Sequence, residues 1–113
     1  MNTTAIRKGD IVARVSTHTV HYGFGTGRKP ETYHEIEIVL VDSAGKDGRV
    51  KQYQTSPTSP VYIERSPAWS APRYLTIAGD KQPLARRLFD AATSSDALRF
   101  NSQDDAIAAI RAA

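Results

Sequence analysis

Between Asp10 and Tyr53 apolar and polar residues alternate with a period of two. Ile11, Ala13 and Val15 fall on one face of a strand, and Val12, Arg14 and Ser16 on the other. A second run, Thr19-Val20-His21-Tyr22, enters a glycine-rich loop over 23–30, and a third run covers 33–41. Together they predict a long hairpin. In the third run Ile36, Ile38 and Leu40 point one way, and Glu35, Glu37, Val39 and Val41 the other. Its far end is apolar on both faces, the signature of a central strand. Turn-forming residues over 42–48 precede another alternating run, Arg49-Val50-Lys51-Gln52-Tyr53, which predicts a second hairpin.

The stretch 55–72 holds Pro57, Pro60, Pro67 and Pro72, each without a backbone donor, so it reads as an irregular crossing. Within it Val61-Tyr62-Ile63 can form one short edge strand, and Trp69 is expected to plug the core from the loop. Residues 73–77 read as the last strand. After Gly79 the apolar period becomes helical, and Pro83 suits a first turn. A helix over 83–93 is expected to bury Leu84, Leu88 and Phe89. Leu98-Arg99-Phe100 reads as a short extended bridge. Ser102, followed by Asp104 and Asp105, then marks the start of a helix over 103–112 that buries Ile107 and Ile110. The expected fold class is α+β. A strongly bent antiparallel sheet or SH3-like barrel of five to six strands occupies 8–78, two helices occupy 79–113, and the whole forms one domain over 1–113.

Composition narrows the chemistry. The chain has 113 residues, 40% of them hydrophobic, and no cysteine, which removes disulfides, thiolate metal sites and cysteine nucleophiles. No window approaches the roughly 18 apolar residues of a membrane span, and the opening residues lack an apolar signal core. A soluble, cytoplasmic protein with no membrane contact is the expectation. The net charge of +3 belongs to residues 1–78, where ten Lys and Arg oppose seven Asp and Glu, while 79–113 balances at five against five.

Gly23-Phe24-Gly25-Thr26-Gly27 leads into a strand, so it is neither a dinucleotide fingerprint nor a phosphate loop, both of which open a helix. His18 and His21 are three apart on a strand and point to opposite faces, so with His34 they make no converging metal site. No nucleophile elbow or paired-carboxylate motif is present. The expectation is a protein with no catalytic residues, no metal and no cofactor. Two groups of basic and aromatic side chains remain. Tyr22, Phe24, Arg28 and Lys29 sit at the hairpin tip, a mixture suited to stacking on bases and pairing with phosphates. Arg14, Arg49, Lys51 and Tyr53 form a basic stripe if their strands are neighbours; alternatively Arg49 and Lys51 pair across the hairpin with Glu35 and Glu37.

Arg7-Lys8-Gly9-Asp10-Ile11-Val12 resembles the opening of SH3-like barrel modules of the KOW type, in which Lys-Gly-Asp precedes the first strand. The wider pattern, ending in Asp47-Gly48-Arg49-Val50-Lys51-Gln52-Tyr53, looks like that of small accessory proteins of actinobacterial plasmids and phages. The resemblance implies a barrel or strongly bent antiparallel sheet and assigns no ligand residue. On these readings the expected function is a non-enzymatic, nucleic-acid-associated accessory or regulatory module. The alternative is a protein-binding adaptor or inhibitor that works through a sheet edge or the aromatic tip. The alanines of the final helix also permit packing against a second copy of the chain.

Overall fold

The computed structural model describes residues 6–46, 48–66, 72–93 and 98–113. Six strands, β1 (Ile11–Val20), β2 (Glu31–Ala44), β3 (Val50–Gln54), β4 (Tyr62–Ile63), β5 (Arg73–Thr76) and β6 (Arg99–Phe100), form one antiparallel sheet. The helices α1 (Gln82–Ala91) and α2 (Gln103–Ala112) follow and flank β6. The strand order is β4-β3-β2-β1-β5, with β6 also on β2, so β2 is the central strand that its doubly apolar end predicts. β3 and β6 share one edge of β2, β6 beside Ile36 and Glu37 and β3 beside Leu40–Ala44.

The alternation in β1 and β2 sorts their side chains into two cores. Ile11, Val15, Ile36 and Ile38 pack with Ala85 and Phe89 of α1 and Ala106 and Ile110 of α2. On the opposite face Val12, Val39, Val41 and Val50 form a second cluster, joined by Ile6, Tyr53 and Tyr74. Burial of each such side chain contributes about 1.5–3 kcal/mol, which is why the strands hold this register. Register shifts near Val41 and Ser43 let β2 bend where β3 joins it. The sheet is strongly bent, yet no pairing joins β4 to β5 among the described residues, so the barrel stays open.

Several details depart from the pattern. The run at Thr19 is not a separate strand but the end of β1, which continues unbroken to Val20. Residues 73–77 do not hold the last strand, because Arg99 and Phe100 pair with β2 as β6. Ala85, rather than Leu84 or Leu88, lies deepest with Phe89 in α1, since a small residue brings the helix close to the sheet. Likewise Ala106 joins Ile110 as the buried pair of α2, and Ile107 is only half-buried. The Ser102 side chain caps α2 by accepting the Asp105 N–H at 3.1 Å. The proline-rich crossing is organised by buried Ser59, whose hydroxyl accepts from the backbone of Thr55 and Ser56, both at 3.1 Å. Trp69 lies outside the described residues.

Candidate functional site: a projecting ribbon and a half-buried ion network

β1 and β2 stay paired beyond the described residues of the strands that flank them. Their register runs without interruption from Ile11 opposite Leu40 to Val20 opposite Glu31. β5 covers β1 only from Val12 to Val15, however, and β6 covers β2 only at Ile36 and Glu37. Residues 17–20 and 31–34 are therefore exposed on both faces and form a two-stranded arm. The molecule is correspondingly elongated, 49 × 33 × 32 Å.

Cross-strand contacts hold the arm together. Thr17 Oγ1 lies 3.0 Å from His34 Nδ1, Thr19 faces Thr32, and the His18 and Tyr33 rings stack with centroids 5.2 Å apart. At the tip the Arg28 guanidinium sits 3.8 Å above the Tyr22 ring, while the Tyr22 hydroxyl donates to Glu31 at 2.8 Å. That hydrogen bond to the carboxylate raises the Tyr22 pKa above its ordinary value. Arg28 also lies 3.8 Å from Glu31, so the tip is tied to its own stem and not to the core. Gly25 and Gly27 take φ of 87° and 69°, the left-handed conformation that lets the loop turn within so few residues. The Phe24 side chain is wholly exposed.

The second constellation lies on the sheet face opposite the helices. Register sets Arg14 directly opposite Glu37, and the bend brings Glu64, just after β4, over β1. The Arg14 guanidinium donates from Nε to Glu64 at 2.9 Å, reaches Glu37 at 3.7 Å and lies 5.0 Å from the Tyr53 ring centre. The Tyr74 hydroxyl of β5 donates to the same Glu64. Side chains thus bridge the gap between β4 and β5 that backbone pairing leaves. Burial works against charge on Arg14, but the hydrogen bond to Glu64 and the charge of its carboxylate more than offset this and hold the guanidinium firmly protonated. Burial also pushes the Glu64 pKa up, and the hydrogen bonds from Arg14 and Tyr74 outweigh it, leaving the carboxyl below its ordinary range. Tyr74 is raised by burial and by the neighbouring carboxylate, and Tyr53 chiefly by burial. At the far end Arg99 of β6 reaches Glu35 at 3.6 Å and Glu37 at 3.4 Å.

This arrangement revises the expected basic stripe. β2 lies between β1 and β3, so Arg14 is not a neighbour of Arg49 and Lys51, and its charge is matched by Glu64 and Glu37. Nor do Arg49 and Lys51 pair with Glu35 and Glu37. β3 joins β2 only from Leu40 onward, and Arg99 and Arg14 occupy those carboxylates instead. Tyr53 packs on the second core beside Arg14, whereas Arg49 and Lys51 line a cleft of about 660 Å³ with Ile63, Glu64 and Tyr74. The eight sequence-derived residues therefore fall in three places. Tyr22, Phe24, Arg28 and Lys29 are together on the arm, Arg14 and Tyr53 are in the ion network, and Arg49 and Lys51 are at the cleft. Glu64, Tyr74 and Arg99 escaped sequence reasoning. Only Glu37 carried a signal, through its place opposite Arg14 in the hairpin register.

Among the described residues no group of three or more His, Asp or Glu side chains could hold a metal ion, and no helix is long and apolar enough to cross a membrane. The fold and its arm define an α+β protein with a protruding β-ribbon. No protein family, no curated protein and no solved structure matches the chain.

Proposed function

We propose that the protein is a non-enzymatic binding module whose β1–β2 arm engages a partner protein, with Phe24 as the leading contact. The observation that carries this reading is the wholly exposed Phe24 at the end of an arm bare on both faces. Exposed aromatic side chains on a preformed element are what protein interfaces use as anchors. The arm also exposes Tyr33 and Val20. Its charge favours protein over nucleic acid. Across 17–34 Arg28 and Lys29 oppose Glu31, a surplus of one, and Arg28 already lies against Glu31. The other bases of the nucleic-acid reading sit elsewhere, Arg14 in its ion network and Arg49 and Lys51 at the cleft. Phosphate binding draws its affinity from several converging bases.

The test is retrieval of a partner from host lysate with immobilised wild-type chain, with and without nuclease, beside Phe24→Ala and the double reversal Arg49→Glu/Lys51→Glu. A partner retained after nuclease, lost with Phe24→Ala and kept by the double reversal is the expected result. Binding that vanishes with nuclease, or falls steeply with salt and with the charge reversal, identifies a nucleic-acid module instead and overturns the proposal.

A further inference from the structure

The helix layer does not fill the whole underside of the sheet. α2 packs against β2 and β6 rather than β5. Two residues that line the space between α2 and the sheet, Ala13 and Ala106, supply only a methyl group each, beside the larger Ile36, Ile38 and Ile110. A cleft of about 140 Å³ results, walled by Ile36, Ile38, Leu75, Ile107 and Ile110. Protein interiors hold few gaps larger than a water molecule. It opens on the helix side of the sheet, where the exposed Thr76, Ala78 and Gln103 mark its mouth. The ends of the undescribed stretches lie elsewhere. Ile6, Gly48, Ser66 and Pro72 line the larger cleft on the opposite face, and the Leu98 carbonyl accepts from Ile38 on the edge of β2 away from β1.

One charged side chain borders this apolar space. Lys81, in the single helical turn Gly79–Lys81 that leads into α1, lines the cleft and is half-buried. It forms no ion pair with any described residue, and the acids nearest in sequence to the mouth, Asp80, Asp104 and Asp105, are exposed and leave it unpaired. A cation drawn out of water beside hydrocarbon is ordinarily paired. Gln103, at the start of α2, lines the same mouth and carries an amide that can donate.

We propose that this cleft binds a small free monocarboxylate with a compact apolar body, the body against Leu75 and the isoleucines and the carboxylate at Lys81. Gln103 donates to its second oxygen. An apolar cavity of roughly 150 Å³ takes a benzene-sized guest, which sets the body at about six carbons. That volume admits no helix, whose side chains span about 10–12 Å. One ammonium matches one negative charge, which selects a carboxylate over a phosphate monoester carrying about −2. The site shares no residue with the arm, so it stands independently of the partner-binding reading.

The test titrates the isotope-labelled full chain with benzoate, benzyl alcohol and acetate and follows the amide NMR shifts. Benzoate is expected to saturate with a Kd of about 1 mM or tighter, with shifts centred on Leu75, Ile77, Lys81 and Ile107. Benzyl alcohol keeps the body without the charge, and acetate the charge without the body, so each is expected to bind at least about tenfold more weakly. Lys81→Met retains the apolar stem, and is expected to weaken benzoate about tenfold while leaving benzyl alcohol unchanged. Ile107→Phe enlarges a half-buried wall and is expected to abolish benzoate binding. Matched thermal melts verify that both variants are folded, and Lys81→Met decides alone if Ile107→Phe is not. Benzoate that fails to saturate, or that shifts the arm or the opposite cleft instead, overturns the proposal. So does an affinity unchanged by Lys81→Met, or benzyl alcohol binding as tightly as benzoate, which would mark a mere packing gap.

Discussion

β1 and β2 are one hairpin with one register, yet its two halves live in different surroundings. In the half from Ile11 to Val15 and Ile36 to Leu40, helices back one face and the valine cluster or the ion network fills the other. In the half from Thr17 to Val20 and Glu31 to His34, nothing among the described residues backs either face. The edges differ in the same way. In the body β5 and the Gln82 amide satisfy the outer edge of β1, while in the arm no strand among the described residues pairs with it. A continuous ladder therefore says nothing about how much stability a segment supplies, which follows from the layers against it.

The largest effect that sharpens this contrast is Phe89→Ala. The ring is 1% exposed in the core beneath the body half, and its removal is expected to cost about 3–5 kcal/mol in a denaturant melt. Next comes Glu64→Gln, expected to cost about 2–3 kcal/mol at neutral pH because it strips Arg14 of its closest carboxylate. The Glu64 carboxyl is lowered on folding, so its contribution is fully present above its unfolded value of 4.5 and disappears as pH falls through the lower folded value. The stability gap between wild type and Glu64→Gln should accordingly close below pH 4.5 in chemical melts taken at stepped pH. A gap that persists unchanged into strong acid would show that packing, not charge, holds the bent edges together.

Gln82→Ala strips the outer edge of β1 in the body half of its amide clamp, leaving the Ile11 N–H and carbonyl without the side-chain partner they have now. A loss of about 1–2 kcal/mol is expected, with faster hydrogen exchange at the Ile11 amide. The smallest effect belongs to the arm. Deleting residues 24–29 and closing the hairpin with Asn-Gly should change stability by less than about 0.5 kcal/mol, since the ion pair and the cation–ring stack that Arg28 makes there are exposed and local to the tip. Equal destabilisation by this deletion and by Gln82→Ala would break the contrast between arm and body.

The candidate binding residues split along the same line. The grouping of Tyr22, Phe24, Arg28 and Lys29 was legible because a hairpin tip is contiguous in sequence and exposed by construction. The grouping of Arg14 with Arg49 and Lys51 depended on which strand lies next to which, and β2 stands between them. Arg14 instead meets a glutamate 50 positions away, and Arg99 meets one 62 positions away. Neither partnership has a local pattern to announce it.

By itself the sequence determined most of the strands and their faces, the two helices, the Ser102 cap and the α+β class, because period-two and helical alternation are local and any core that buries one face selects them. It also placed the central strand, through the residues that are apolar on both sides. Tertiary structure alone decided that the barrel stays open, that β6 joins β2, that Glu64 and Tyr74 bridge the bent edges, and that Gln82 ends an edge 71 residues away. Those features depend on chain segments meeting across long separations, where many pairings satisfy the same alternation and only simultaneous packing of both faces chooses among them.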